Sequence, residues 1–257
     1  MTKVLIVGID GFLGRSLFNR FSTNTSVEVF GSSRIKSSPL YLDLNVESNI
    51  SFSEFDVVIL LSSITSDKAC HEQPDLAYQT NVTSTISLLE KCVGCGCYCI
   101  FLSSNSVFNG SKSFYSYQDP VSPRNKYAEL KVHVERWISC YFPERISILR
   151  LTKVLPDSAL PFFAKRWVDE INDFGFTEVI ANHFLSPITE DKVFSALTQL
   201  VLSKKPGIFH LGSSIEYSYS DYAKNLIIQY DLPPQSFRFV FKGQSNVYNS
   251  LETNLSL

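Results

Sequence analysis

An apolar run, Val4-Leu5-Ile6-Val7, delivers the chain directly into Gly8-Ile9-Asp10-Gly11-Phe12-Leu13-Gly14, and Leu13, Leu17 and Phe21 then recur at helical spacing. Few folds accept three glycines at such a junction. One permits the tight turn from strand to helix, one lets backbone approach a ligand closely, and one lets helix pack on strand. The helix N-terminus that follows offers free N–H groups and a partial positive charge to an anion. The spacing, G-x-x-G-x-x-G between strand and helix, therefore reads as a pyrophosphate cradle, with Gly8, Gly11, Phe12, Leu13 and Gly14 as contacts. A merely glycine-rich turn is the alternative.

The pattern continues as a series of strands and helices. Val27–Phe30, a short Tyr41–Asp43, Asp56–Leu61, Tyr98–Leu102 and Ile146–Leu151 read as strands, and the third of these is apolar on both faces, as in the middle of a parallel sheet. Helical spacing covers Pro74–Cys92 and Asn125–Ile138, the latter with Leu130, Val134 and Trp137 inward. Beyond Leu151 the alternation weakens, prolines interrupt the chain, and aromatic residues thicken between Phe162 and Phe184. A helix over Glu190–Leu202 and an apolar Gly207–Gly212 segment read as a return to the sheet, and Ser218-Tyr219-Ser220-Asp221 forms a capping box before Tyr222–Tyr230. The expected fold is α/β, a doubly wound Rossmann parallel sheet with a small discontinuous C-terminal substrate lobe. The nucleotide-binding part would span residues 1–152, with 188–214 returning to it, and the lobe 153–187 and 215–257.

Composition removes other classes. With 257 residues, 44% hydrophobic and 19% charged, the chain can bury a full core, and a formal charge of −2 leaves no electrostatic footprint for a nucleic acid polymer. No apolar run is long enough for a membrane span, and Met1–Gly8 stops too early at glycine for a signal peptide. A cytoplasmic protein is expected, monomer or homodimer. Cys92, Cys95, Cys97 and Cys99 are crowded, but they sit on an apolar helix end and a buried strand. They read as small reduced hydrophobes, so no metal is expected. His71, His133, His183 and His210 have no ligand spacing either.

The end of the second strand bears on the choice of dinucleotide. A carboxylate about 20 residues after the glycines would bind the ribose 2′-hydroxyl of NAD. Here the chain reads Phe30-Gly31-Ser32-Ser33-Arg34, with no acid in that stretch and an arginine able to pair with a 2′-phosphate. NADP(H) is the preferred cofactor on this reading and NAD(H) a possible one. An exposed arginine at a loop edge is the alternative.

Tyr127 and Lys131 stand four residues apart, hence on one helix face. A nearby ammonium favours phenolate and would lower the tyrosine pKa. Upstream, Ser103-Ser104-Asn105-Ser106 ends a strand, where a serine hydroxyl can donate to a substrate carbonyl or alkoxide.

With the cradle, Y-x-x-x-K and upstream serine in hand, the chain resembles the extended short-chain dehydrogenases/reductases of the NAD-dependent epimerase/dehydratase superfamily. It is most similar to the dTDP-4-dehydrorhamnose reductase (RmlD-like) branch. Asp67-Lys68-Ala69 with Pro74 and Asn81 resembles that branch's D-K-A-E…P…N. Ser103–Gly110 resembles S-T-D-Y-V-F-x-G, Arg150-Leu151-Thr152 resembles R-T-S, and Asn249–Thr253 resembles N-S-x-L-D-T. The resemblance implies NADPH-dependent reduction of a nucleotide-linked 4-keto-6-deoxy sugar, in a polysaccharide precursor pathway. Tyr127 would be the acid, Ser104 would polarise the carbonyl, and Lys131 would hold the nicotinamide ribose. It further implies cofactor contacts at Ser33, Asp43, Leu44, Leu61, Ser62, Ser63 and Ser103, with Asn81 supporting Lys131 through a water. Asn105, Ser106 and Lys153 replace the branch's usual Asp, Tyr and Trp at the sugar pocket.

Two rivals stay open. A sugar-nucleotide 4-epimerase with tightly bound NAD would use the same tyrosine, lysine and serine. A non-catalytic NADP-binding sensor or scaffold would use the fold alone. A 4,6-dehydratase is disfavoured, because neither Asn105 nor Ser106 can take up a proton at neutral pH.

Overall fold

The computed structural model describes residues 1–243 and 245–255. Its centre is a six-stranded, wholly parallel sheet of β1 (Thr2–Val7), β2 (Val27–Ser32), β3 (Val57–Leu60), β4 (Tyr98–Ser104), β5 (Ile146–Leu151) and β10 (Gly207–Leu211), in the spatial order β2-β1-β3-β4-β5-β10. The chain winds outward one way from β1 to β2 and the other way from β3 onward. That reversal opens a crevice beyond the carboxyl ends of β1 and β3, where ligands of doubly wound sheets bind.

Successive side chains of a strand face opposite layers, which explains the uninterrupted apolar runs. Val4 and Ile6 join Leu17 and Phe21 of α1 (Phe12–Ser22) and Leu197 of α7 (Glu190–Ser203). Leu5 and Val7 join Leu89 of α4 (Thr85–Gly94) and Leu130 of α5 (Lys126–Tyr141) on the other side. Two short helices, α2 (Asp67–Glu72) and α3 (Pro74–Tyr78), precede α4.

A smaller layer gathers α6 (Phe162–Phe174) and α8 (Tyr219–Tyr230) over Trp167, Val179, Leu226 and Phe237. It carries three strand pairs: β6 (Lys153–Leu155) with β9 (Pro187–Thr189), β7 (Thr177–Ile180) with β12 (Phe237–Val240), and β8 (Phe184–Leu185) with β11 (Tyr217–Ser218). The capping box is present: the Ser218 hydroxyl accepts from Asp221 N–H at 3.0 Å and donates to its carboxylate at 2.8 Å. In the stretch 215–257 expected to complete the lobe, residues 244 and 256–257 lie outside the described residues.

Two expected elements differ. Tyr41–Asp43 is not a strand but a single bridge from Tyr41 to Ser33, because the polar Asp43-Leu44-Asn45 turn leaves no run to pair. The long helix expected over Pro74–Cys92 is interrupted by a π-helical segment, Gln79–Ser84, between α3 and α4. Such wide turns free backbone and side-chain groups for other partners, and Asn81 sits inside this one.

Candidate active site

The cradle is built by close backbone contact. Gly8 has φ +98°, and a Cβ there would lie 2.4 Å from Ser62 Oγ; a Cβ on Gly14 would lie 2.1 Å from the Gly8 carbonyl oxygen. Glycine at both positions is required by packing alone. Gly11 is different, since its nearest neighbour would be 3.8 Å away. It caps α1 without a side-chain bond, and no acid stands in the first turn, so no side chain at the helix start competes for its first N–H groups. Phe12 is 52% exposed at the start of that helix, whereas Leu13 packs against the core. Beside the cradle, Ser62 and Ser63 follow β3, and Ser103 lies at the end of β4. The hydroxyls of Ser63 and Ser103 are buried without a hydrogen-bond partner among the described residues. An open glycine seat, an uncapped helix end and two orphaned hydroxyls suit a polar ligand such as a dinucleotide. Leu61 continues β3 through its N–H to the Val7 carbonyl, 3.1 Å away. Asp43 and Leu44 edge a hollow with Ser84 and Leu88 of the helix across the crevice.

The end of β2 holds a surprise. The Ser33 hydroxyl donates to both carboxylate oxygens of Asp10, at 2.8 and 2.9 Å, and Arg34 N–H donates to the same group at 3.0 Å. No acid stands in Phe30–Arg34, yet the glycine loop brings one there. Local reading of Phe30–Arg34 missed it because the residue comes from the preceding turn of the chain.

Across the crevice, α5 is anchored by two polar groups. Asn125 caps it through Ala128 N–H at 2.9 Å, and the Asp67 carboxylate accepts from Lys126 N–H at 3.0 Å. This gives the Asp67-Lys68-Ala69 segment a physical role: it ties α2 to the start of the helix carrying Tyr127. Lys131 is 5% exposed, donates from Nζ to the Leu102 carbonyl at 2.9 Å, and lies 4.5 Å from the centre of the Phe101 ring and 5.7 Å from that of Tyr127. Burial pushes its pKa down to about 8. Desolvation acts oppositely on Tyr127, raising its pKa well above the ordinary phenol value. The expected lowering by Lys131 is corrected: the half-buried phenol is held firmly protonated.

Asn81 is held by the loop after β3. It is 2% exposed, accepts from Ile64 N–H and donates to the Ile64 carbonyl, both at 2.8 Å. Both halves of its amide clamp the loop after β3.

At the end of β4 the Ser106 hydroxyl donates to Ser104 Oγ at 2.9 Å, and Ser106 N–H donates to the same oxygen at 3.2 Å. Ser106 is 8% exposed and braces Ser104. Asn105 donates to the carbonyl and the side-chain oxygen of Asn249, each at 2.9 Å. Arg124 donates to the same Asn249 oxygen at 2.6 Å. Arg124 and Asn249 thus join the site edge, and neither stood out as a site residue in the sequence, since both act across more than 100 positions of chain. Lys153 is exposed on β6 with its ammonium 5.7 Å from the Phe163 ring centre.

The other singled-out residues are structural. Cys92, Cys97 and Cys99 are buried in the core and Cys95 is exposed. His210 is fully buried, bonded to Tyr115 O at 3.1 Å and to Arg150 at 3.2 Å. Among the described residues no helix is long and apolar enough to cross a membrane.

The glycine cradle at a strand-order reversal, faced by a Tyr-x-x-x-Lys helix, defines a doubly wound α/β protein with a crevice at its topological switch point. Residues 1–246 match the family described as RmlD substrate binding domain, and the chain belongs to that family. It is 27% identical over 161 residues to methionine adenosyltransferase 2 subunit beta of Xenopus tropicalis, covering 60% of this chain and 48% of that protein. It is 28% identical over 196 residues to dTDP-4-dehydrorhamnose reductase of Sinorhizobium fredii, covering 72% and 65%. The chain thus spans about half the length of the first of these curated relatives and somewhat under two thirds of the second. Among solved structures, the fold is similar to dTDP-4-dehydrorhamnose reductase of Bacillus anthracis in complex with NADP, with a TM-score of 0.79 at 17% identity, covering 99% of this chain and 90% of that one.

Proposed function

We propose that the protein is an NAD(P)H-dependent reductase of a nucleotide-linked 4-keto-6-deoxy sugar. The observation that carries this reading is the pairing of a protonated phenol, Tyr127, with a braced hydroxyl, Ser104, on neighbouring elements beside the cradle. Membership of the RmlD family and likeness to a reductase crystallised with NADP support it.

A bound nicotinamide dinucleotide supplies hydride in such a site. This chain's own residues do the rest. Gly8, Gly11 and Gly14 with the α1 N-terminus hold the pyrophosphate, while Ser62, Ser63 and Ser103 offer hydroxyls along the crevice. Ser104 accepts from Ser106 at Oγ and donates its own proton to Asn105 Oδ1 across a long 3.3 Å, a bond that the carbonyl oxygen of the substrate would replace. As negative charge grows on that oxygen, Tyr127 Oη–H supplies the proton. The proton passes from the phenol to the forming alkoxide, and Tyr127 is reprotonated from solvent before the next turnover. Lys131, held at Leu102 O, would have its remaining N–H bonds to offer the nicotinamide ribose. Residues 1–152 and 188–214 serve the cofactor, and the described residues of 153–187 and 215–255, with Asn105 and Ser106, serve the sugar.

The reaction is tested by incubating the protein with NADPH deuterated at the nicotinamide C4 and a panel of dTDP-, UDP- and GDP-linked 4-keto sugars. Deuterium appearing at C4 of a product sugar is the expected result. Cofactor binding without transfer to any member would refute the reductase.

One observation favours a second reading. A curated relative is a subunit of a methionine adenosyltransferase, so a partner-binding, non-catalytic dinucleotide protein would also account for the fold. Retention of Tyr127, Lys131 and a braced Ser104 together weighs toward chemistry.

A further inference from the structure

We propose that Asp10 is a specificity-determining residue for the adenosine end of the cofactor, acting against the 2′-phosphate that Arg34 would favour. The inference rests on the dinucleotide reading of the cradle. In doubly wound folds the residues just after the second strand meet the adenosine ribose. Here those residues are Ser33 and Arg34, following β2 (Val27–Ser32). Their two natural phosphate donors, the Ser33 hydroxyl and the Arg34 N–H, both already donate to the Asp10 carboxylate at 2.8–3.0 Å.

The arrangement is constructed rather than incidental. Ser33 is 4% exposed, and its oxygen also accepts from Ile35 N–H at 3.0 Å, which fixes the hydroxyl hydrogen on Asp10. Gly8 N–H and Ile9 N–H both donate to the Ser32 carbonyl, at 3.2 and 3.1 Å, so the glycine loop is pinned to the end of β2. A Cβ at Gly31 would lie 2.7 Å from Ile9, and its absence lets the loop settle there. Asp10 itself is exposed, with its carboxylate open on the far side to solvent or ligand.

A carboxylate in this place can accept from a ribose hydroxyl. A 2′-phosphate, carrying close to two negative charges at neutral pH, must instead displace it from both donors or sit beside it. Arg34, exposed and cationic, pulls the other way. Opposition of the two residues gives a cofactor preference weaker than Arg34 alone would set.

Calorimetric titration of the full chain with NADPH and with NADH, for wild type, Asp10→Asn and Arg34→Ala, tests this. Asparagine keeps an acceptor for Ser33, so the loop should hold, and a thermal melt without ligand checks it. Wild type is expected to bind the two dinucleotides within about tenfold of each other. Asp10→Asn should move the affinity ratio toward NADPH by at least about tenfold, and Arg34→Ala should move it toward NADH. A ratio unchanged in Asp10→Asn, with both dinucleotides bound, would overturn the inference and leave the dinucleotide reading intact. Binding of neither to wild type would overturn both. Should Asp10→Asn melt early, Asp10→Ser, which removes the charge and keeps an acceptor, must give the same shift.

Discussion

Lys131 donates to the backbone carbonyl of Leu102 across 2.9 Å, so the helix bearing Tyr127 is locked to the strand that ends at Ser104. The lock is made with a charge buried at 5% exposure. Its pKa of about 8 against an ordinary 10.5 means the folded protein binds fewer protons than the unfolded chain between those values. Stability therefore carries the full cost of the buried ammonium below pH 8 and recovers as pH rises through that window. Lys131→Met is expected to be more stable than wild type at pH 7 by about 1–3 kcal/mol in urea denaturation, and to lack the gain above pH 8. It should also be inactive, which separates a functional lysine from a structural one.

Gly14 and Gly11 should respond oppositely to one added methyl group. Gly14→Ala drives a Cβ to 2.1 Å from the Gly8 carbonyl oxygen, so backbone must move. We expect a loss of about 2 kcal/mol or more, read as a lowered Tm. Gly11→Ala meets nothing nearer than 3.8 Å. It should unfold within about 0.5 kcal/mol of wild type while dinucleotide affinity falls by about tenfold or more.

His210 controls the acid limb of stability. Burial first, then the nearby Arg150, hold its pKa near 3 rather than 6.5. The unfolded chain takes up a proton below 6.5 that the folded one refuses, so stability falls as pH drops from 6.5 toward 3. Between pH 7 and 4.5 wild type should lose about 2–3 kcal/mol more than His210→Gln in denaturant titrations.

Behind the site, Arg150 and Glu135 form a pair at 3.0 and 2.6 Å with side chains 3% and 5% exposed. Glu135→Ala leaves a buried guanidinium alone and should cost about 3–5 kcal/mol. Replacing both residues by methionine should recover most of that loss, as measured by the denaturation midpoint.

Much of this was legible in the chain. The glycine run, the uninterrupted apolar strands and the Tyr127–Lys131 spacing depend on neighbours in sequence, and the parallel sheet formed around them, with Tyr41–Asp43 reduced to a single bridge. Departures arose where distant segments meet. Asp10 reaches the end of β2 through space, and Asn81, inside a π-helical widening, bonds Ile64 on the loop after β3. Tyr127 shows why charge alone misleads: a lysine four residues away suggests an acidified phenol, but burial acts on both groups, and nothing in the spacing reveals burial. Arg124 and Asn249 carry no motif linking them, and only the path of the chain back across the crevice joins them.

The central claim is that Tyr127 is the proton donor in a hydride transfer fed by NAD(P)H. Single-turnover loss of NADPH absorbance should be compared between wild type and Tyr127→Phe, with the 4-keto sugar nucleotide that wild type turns over and with NADPH affinity measured alongside. Rates lower by about a hundredfold or more in the variant, with NADPH affinity held within about twofold, are the predicted result. Equal rates in the two proteins would contradict it.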